Sequence, residues 1–188
     1  PSGIKDLDTL INGGFLEKTV NLIAGDAGSG KTIFAIQFLV EGIKKNENGL
    51  YITFEEKKEK IYEEMKSFGW DLEKNEKQGK FSFLEYTPEQ VKRLLVEGGG
   101  AIESTINKKK IKRLVIDSIS SFSLLYKDEL TKKEAALTLF ELISSWGCTA
   151  VLTAQSETKD DHTITAALEF EVDSIIILYH PKKKGIRV

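Results

Sequence analysis

The sequence predicts an α/β fold: a mostly parallel β-sheet with helices on both faces, in a single domain over residues 1–188. Three observations predict it. Short apolar runs alternate with segments of helical periodicity, the pattern of strand–helix–strand units. The runs are almost continuously apolar, as strands covered on both faces require. One of them, residues 20–24, passes through a glycine-rich turn directly into a helix. With 40% hydrophobic and 30% charged residues, a chain of 188 can bury a sizeable core, which excludes wholesale disorder.

Val20-Asn21-Leu22-Ile23-Ala24 reads as a buried strand ending at Gly25. Residues 31–45 carry apolar side chains nearly all round and read as a buried helix. A turn over 46–49 leads to a strand over 50–54. Residues 57–68 form an amphipathic helix with Ile61, Met65 and Phe68 on one face, and the polar stretch 73–80 reads as a surface loop. Residues 81–85 are a third strand. Pro88 opens a helix carrying Val91, Leu94 and Leu95, which Gly98-Gly99-Gly100 interrupts, glycine being costly inside a helix. Ile102 and Ile106 continue in a second segment. Residues 113–117 are a strand and 132–145 a helix, ended by Gly147. Strands over 149–153 and 172–179 complete the series.

The charges, 27 basic against 29 acidic, show no basic excess of the kind that marks a nucleic-acid binder, so nucleic acid is a possible but disfavoured partner. The single cysteine, Cys148, excludes an internal disulfide and reads as a small buried hydrophobe. No apolar stretch approaches the roughly 20 residues of a membrane helix. The N-terminus shows no apolar signal-peptide core, so the expected compartment is the cytoplasm. The chain begins at Pro1 and stops at Val188 within a β-like pattern, so the full protein is expected to extend past one or both ends. His162 and His180 lack metal-ligand spacing, and Trp70 and Trp146 read as packing residues.

Gly25-Asp26-Ala27-Gly28-Ser29-Gly30-Lys31-Thr32 fits GxxxxGK[ST] in full. Glycines let backbone N–H groups turn inward around phosphate oxygens, and the helix that follows adds its positive end. Lys31 can reach β- and γ-phosphates, and the Thr32 hydroxyl can ligate Mg2+. Such a site needs a second acidic group for the hydrated metal. Leu114-Val115-Ile116-Asp117 delivers one, Asp117, to the C-terminal end of a buried strand, where open α/β sheets bind ligands.

Together these pieces resemble the RecA superfamily, and within it the KaiC-like ATPases. The resemblance is carried by the lead-in from Ser2 to Phe15, the P-loop, Phe54-Glu55-Glu56, the segment from Phe68 to Leu72, and the Walker B strand from Arg113 to Ser118. It implies a RecA-like P-loop NTPase core with the strand from Thr149 between the P-loop strand and the Asp117 strand. It also implies an ATPase using ATP and Mg2+ at the interfaces of a homo-oligomer, often a hexameric ring, and an unidentified protein partner. Glu55 and Glu56 correspond to the family's paired glutamates, which orient water beside the γ-phosphate. If the strand before them stays regular, only one can face the nucleotide. Thr153-Ala154-Gln155 ends a strand where RecA-like proteins place a γ-phosphate sensor, and Gln155 has the chemistry for it. The loop after it carries Asp160 and Asp161, an unpromising DNA contact. The family's trans-acting Lys and Arg are expected beyond Val188, and Arg187 falls before that motif. The alternatives are a nucleotide-sensing switch or scaffold with little turnover, and a RecA-like DNA-repair accessory protein.

Overall fold

A computed structural model of the chain describes residues 1–123, 125–155, 171–179, 182–183 and 186–187. Among these, six strands form one parallel sheet in the order β3-β2-β4-β5-β1-β6. The strands are β1 (Val20–Gly25), β2 (Asn48–Thr53), β3 (Phe81–Glu85), β4 (Ile111–Asp117), β5 (Thr149–Gln155) and β6 (Ser174–Leu178). β5 lies between β1 and β4, the position the family resemblance implies. A separate two-residue antiparallel pair joins β7 (Lys182–Lys183) to β8 (Ile186–Arg187).

Alternation along the strands sorts the core into two layers. Leu22, Leu50, Ile52, Leu114, Ile116 and Leu152 face one layer, closed by α5 (Pro88–Val96), α6 (Gly100–Lys109) and α8 (Glu129–Ser145). Ile23, Tyr51, Phe81, Val115 and Val151 face the other, closed by α2 (Lys31–Lys44), α3 (Lys58–Lys66) and α4 (Leu72–Lys77). Helices therefore cover both faces, as predicted. Among the described residues no helix is long and apolar enough to cross a membrane.

The elements depart from the sequence reading in identifiable ways. Residues 73–80 are not a loop throughout, because α4 runs Leu72–Lys77. Periodicity misses it because it has only one buried apolar anchor, Leu72. Local signals hold it instead: Asp71 caps the helix by accepting from the Lys74 N–H, and Lys77 pairs with Glu73 at 2.7 Å. The helix expected over 132–145 starts earlier, at Glu129, because Asp128 caps it through the Thr131 N–H. Thr87 and Gln90 form a reciprocal capping box at α5. α6 begins at the third glycine, Gly100, with Gly98 and Gly99 left-handed at the break. A short α1 (Lys5–Leu10), unpredicted, lies in the lead-in, and α7 (Ser120–Ser123) follows β4. Cys148 is buried as expected, and burial pushes its thiol up to about 11. Trp146 is likewise buried, and Trp70 packs against the core.

Arg113, on β4, is the buried cation that ties the lead-in to the sheet; only 5% of it is exposed. Its Nε donates to Glu47 at 2.6 Å, and Nη1 donates to the carbonyls of Pro1 and Phe38 at 2.8 Å each. The guanidinium also lies 4.6 Å from the centre of the Phe38 ring. Lysine supplies charge without this planar fork. Arg113→Lys is therefore expected to cost about 2 kcal/mol, the scale of a hydrogen bond to a charged group. A thermal melt should show a fall of roughly 4–8 °C for a chain of this size. An unchanged melting temperature would mean that the fork contributes nothing to the fold.

Candidate nucleotide site

The parallel arrangement brings the C-terminal ends of β1, β2, β4 and β5 side by side, and the predicted residues gather there. β1 ends at Gly25, and the loop from Asp26 to Gly30 leads into α2. Gly28 (φ 76°) and Gly30 (φ 92°) are left-handed, a conformation that a side chain would strain. Around Gly28 and Gly30, space is open where a Cβ would project. Lys31 Nζ donates to the carbonyls of Gly25 and Asp26 at 2.8 Å each. Burial pulls its ammonium below the usual value, against the opposing influence of the Asp117 and Asp26 carboxylates.

Asp117 ends β4, is buried, and collects three side-chain donors. Thr32 Oγ1 donates to its Oδ2 at 2.7 Å, and Tyr51 OH donates to the same oxygen at 2.6 Å. Thr153 Oγ1 donates to Oδ1. The Asp117–Ser118 peptide that follows is cis. Thr32 and Asp117, paired from sequence as metal-site candidates, are thus in direct contact. Tyr51 and Thr153 were assigned no role from sequence. Their signal is a hydroxyl within a mostly apolar run, and it becomes legible only when the neighbouring strands are known. Burial, then the adjacent carboxylate, hold the Tyr51 phenol well above its ordinary value, so it is a donor.

The strand before the glutamates ends at Thr53, not Phe54, so the alternation expected to select one carboxylate does not apply to them. The chain bends there, and Thr53 Oγ1 accepts the N–H groups of Glu55 (3.3 Å) and Glu56 (3.0 Å). Thr53 is paired in register with Asp117, which sets the two glutamates just past the sheet edge that carries Asp117. Glu56 pairs with Lys60 at 2.7 Å. Glu55 is exposed, and its carboxylate has no hydrogen-bond or ion-pair partner among the described residues. From β3, Glu85 accepts the Lys58 N–H and pairs with Lys57, fixing the start of α3 beside them. Gln155 ends β5 in register with Gly25, the first residue of the loop. Its side chain is exposed, and its N–H donates to Ser120 Oγ at 2.7 Å. The loop with Asp160 and Asp161, along with His162, His180 and Val188, lies outside the described residues.

The chemistry of this donor set fits a phosphate chain with a hydrated divalent cation. An ammonium, glycine-rich N–H groups and a helix start suit anionic oxygens. A hydroxyl and one carboxylate suit a cation that keeps several waters and takes phosphate oxygens. Ser29 Oγ, in the middle of the loop, is buried with no hydrogen-bond partner among the described residues, a polar atom left for a ligand to satisfy. No group of three or more His, Cys, Asp or Glu side chains able to hold a metal occurs among the described residues, so a cation here would also draw on ligand oxygens.

Comparison with known proteins gives a concordant picture. The family model described as "ATPase: KaiC" matches residues 1–188. The circadian clock protein KaiC3 of Synechocystis sp. is 36% identical over 185 residues, covering 94% of this chain and 37% of that protein. A UPF0273 protein of Methanocaldococcus jannaschii is 31% identical over 195 residues, covering 94% of this chain and 78% of its own length. The chain therefore spans little more than a third of the first and about three quarters of the second. The crystal structure of a KaiC-like protein from Pyrococcus horikoshii superposes with a TM-score of 0.83 at 35% identity, covering 97% of this chain and 81% of that one.

Proposed function

The chain belongs to the KaiC family of ATPases, and from that membership we propose that it binds ATP with Mg2+ and hydrolyses it slowly in the cytoplasm. In this reading the nucleotide state governs assembly of a homo-oligomer, a hexameric ring in form, or engagement of a protein partner. The observation that carries the reading is the Thr32–Asp117 hydrogen bond at the mouth of the glycine loop. A hydroxyl has one proton and two lone pairs. With its proton directed to Asp117, Thr32 keeps lone pairs for a cation.

In this reading each residue takes a role. The N–H groups of Gly25 to Thr32 hold the phosphates, and Lys31 exchanges the carbonyls of Gly25 and Asp26 for β- and γ-phosphate oxygens. Thr32 and Asp117 hold the metal and its water. When bound, Mg2+ would supply positive charge that offsets the charge developing on the phosphate oxygens. Glu55 and Glu56 orient the attacking water. Gln155, beside Gly25, reads the γ-phosphate and passes its state to the loop that follows. A Lys and an Arg from a neighbouring copy complete the charge stabilisation.

Phosphate release with and without EDTA tests the proposal, comparing wild type with Asp117→Asn over a dilution series. Oδ2 has two donors and Oδ1 one, so asparagine can turn its carbonyl toward Tyr51 and Thr32 while the Thr153 hydroxyl rotates to accept from its amide. The variant is thus expected to fold. Losing the negative charge should lower hydrolysis about tenfold or more while leaving metal-free nucleotide affinity within about twofold, one charge-assisted contact being worth that much. Wild-type specific activity should climb with concentration as copies associate. Hydrolysis that EDTA and Asp117→Asn leave untouched sinks the metal assignment, and constant specific activity on dilution sinks the shared site.

A further inference from the structure

We propose that Tyr51 is a positioning residue of the metal site, acting through Asp117 to fix the Thr32 hydroxyl. The inference rests on the Mg2+–ATP reading above and adds a residue that lies in neither the glycine loop nor the β4 strand.

Tyr51 sits in the middle of β2, fully buried between Leu50 and Ile52. It is paired in register with Val115, two residues before Asp117 on the neighbouring strand. Its ring stacks on Phe83 of β3, with centroids 5.2 Å apart and planes 23° apart. A packed ring with two torsions presents its hydroxyl rigidly. That hydroxyl reaches forward to Asp117 Oδ2 at 2.6 Å.

The carboxylate is therefore held from both sides. Thr153 on β5 binds Oδ1, and Tyr51 on β2 binds Oδ2. Rotating the carboxylate breaks a charge-assisted hydrogen bond on each side. Oδ2 keeps a fixed direction in which to accept the Thr32 proton, at 2.7 Å. The lone pairs of Thr32 then point consistently away from Asp117, available to a cation. A tyrosine placed only for bulk needs no partner for its hydroxyl at the metal-site carboxylate; phenylalanine fills the same core position.

The test compares the full chain with Tyr51→Phe and, separately, Thr153→Val. A fluorescent ATP analogue is titrated in EDTA and again in Mg2+, and the gain in affinity on adding Mg2+ is the readout. Tyr51→Phe should match wild type in EDTA within about twofold, and its gain from Mg2+ should shrink about tenfold, as loss of one hydrogen bond to a charged group implies. Thr153→Val, which leaves the Tyr51 packing intact, should show the same pattern. An unchanged or larger gain in Tyr51→Phe overturns the proposal. So does an equal loss in both arms, which marks a role in packing alone. Failure of wild type itself to bind the analogue in either arm sinks the nucleotide reading, a result distinct from both.

Discussion

Changing Glu55 and Glu56 together to glutamine should lower ATP hydrolysis by roughly 10²–10⁴-fold, the usual contribution of a group that handles the attacking water's proton. Glutamine keeps the size of each side chain and removes its charge, and neither carboxylate supports the core. Glu55 is exposed, and the pair between Glu56 and Lys60 is a half-exposed i,i+4 contact whose loss costs little stability. ATP affinity should stay near wild type, which separates this variant from those of the loop. The single substitutions then divide the role. Glu55 is free among the described residues to turn toward a ligand, whereas Glu56 must first release Lys60. Single-turnover phosphate release is the measurement. If the double variant turns over within about twofold of wild type, both glutamates are solvated acids opening α3.

Lys31→Ala should weaken ATP binding by roughly 100-fold. The side chain is sized for two charge-assisted bonds, each about 1.5–3 kcal/mol, and such contributions overlap rather than add. Its two present partners, the carbonyls of Gly25 and Asp26, mark where the ammonium waits. Alanine frees those carbonyls at the loop edge without cutting into the core, since neither core layer includes Lys31. Equilibrium titration with ATP, beside a melting curve, distinguishes lost affinity from lost fold. Equal affinity in the two proteins would remove the loop from the nucleotide site.

How each layer of the protein was encoded explains what was legible. The glycine loop is a contiguous signal: strand, left-handed glycines and helix start follow one another, so eight residues specify their own geometry. The strands showed as apolar runs because a sheet covered on both faces is lined mostly by apolar side chains, with few polar residues such as Arg113 and Thr153 buried among them. α4 stayed hidden because one buried leucine, a cap and an ion pair carry it, none of which produces an apolar period. The bend at Thr53 stayed hidden for a similar reason, since a side chain accepting two backbone N–H groups leaves no periodic trace.

The sequence by itself determined the α/β class, the glycine loop between β1 and α2 and the acid at the end of β4, because each is written in neighbouring residues. Only the tertiary structure decided which side chains meet that acid. Thr32, Tyr51 and Thr153 stand 85, 66 and 36 residues from Asp117 along the chain. Periodicity states which face of a strand is buried but not which strand lies beside it. The strand order, settled when the whole sheet packs between its two helix layers, is what turns three scattered hydroxyls into one carboxylate cradle.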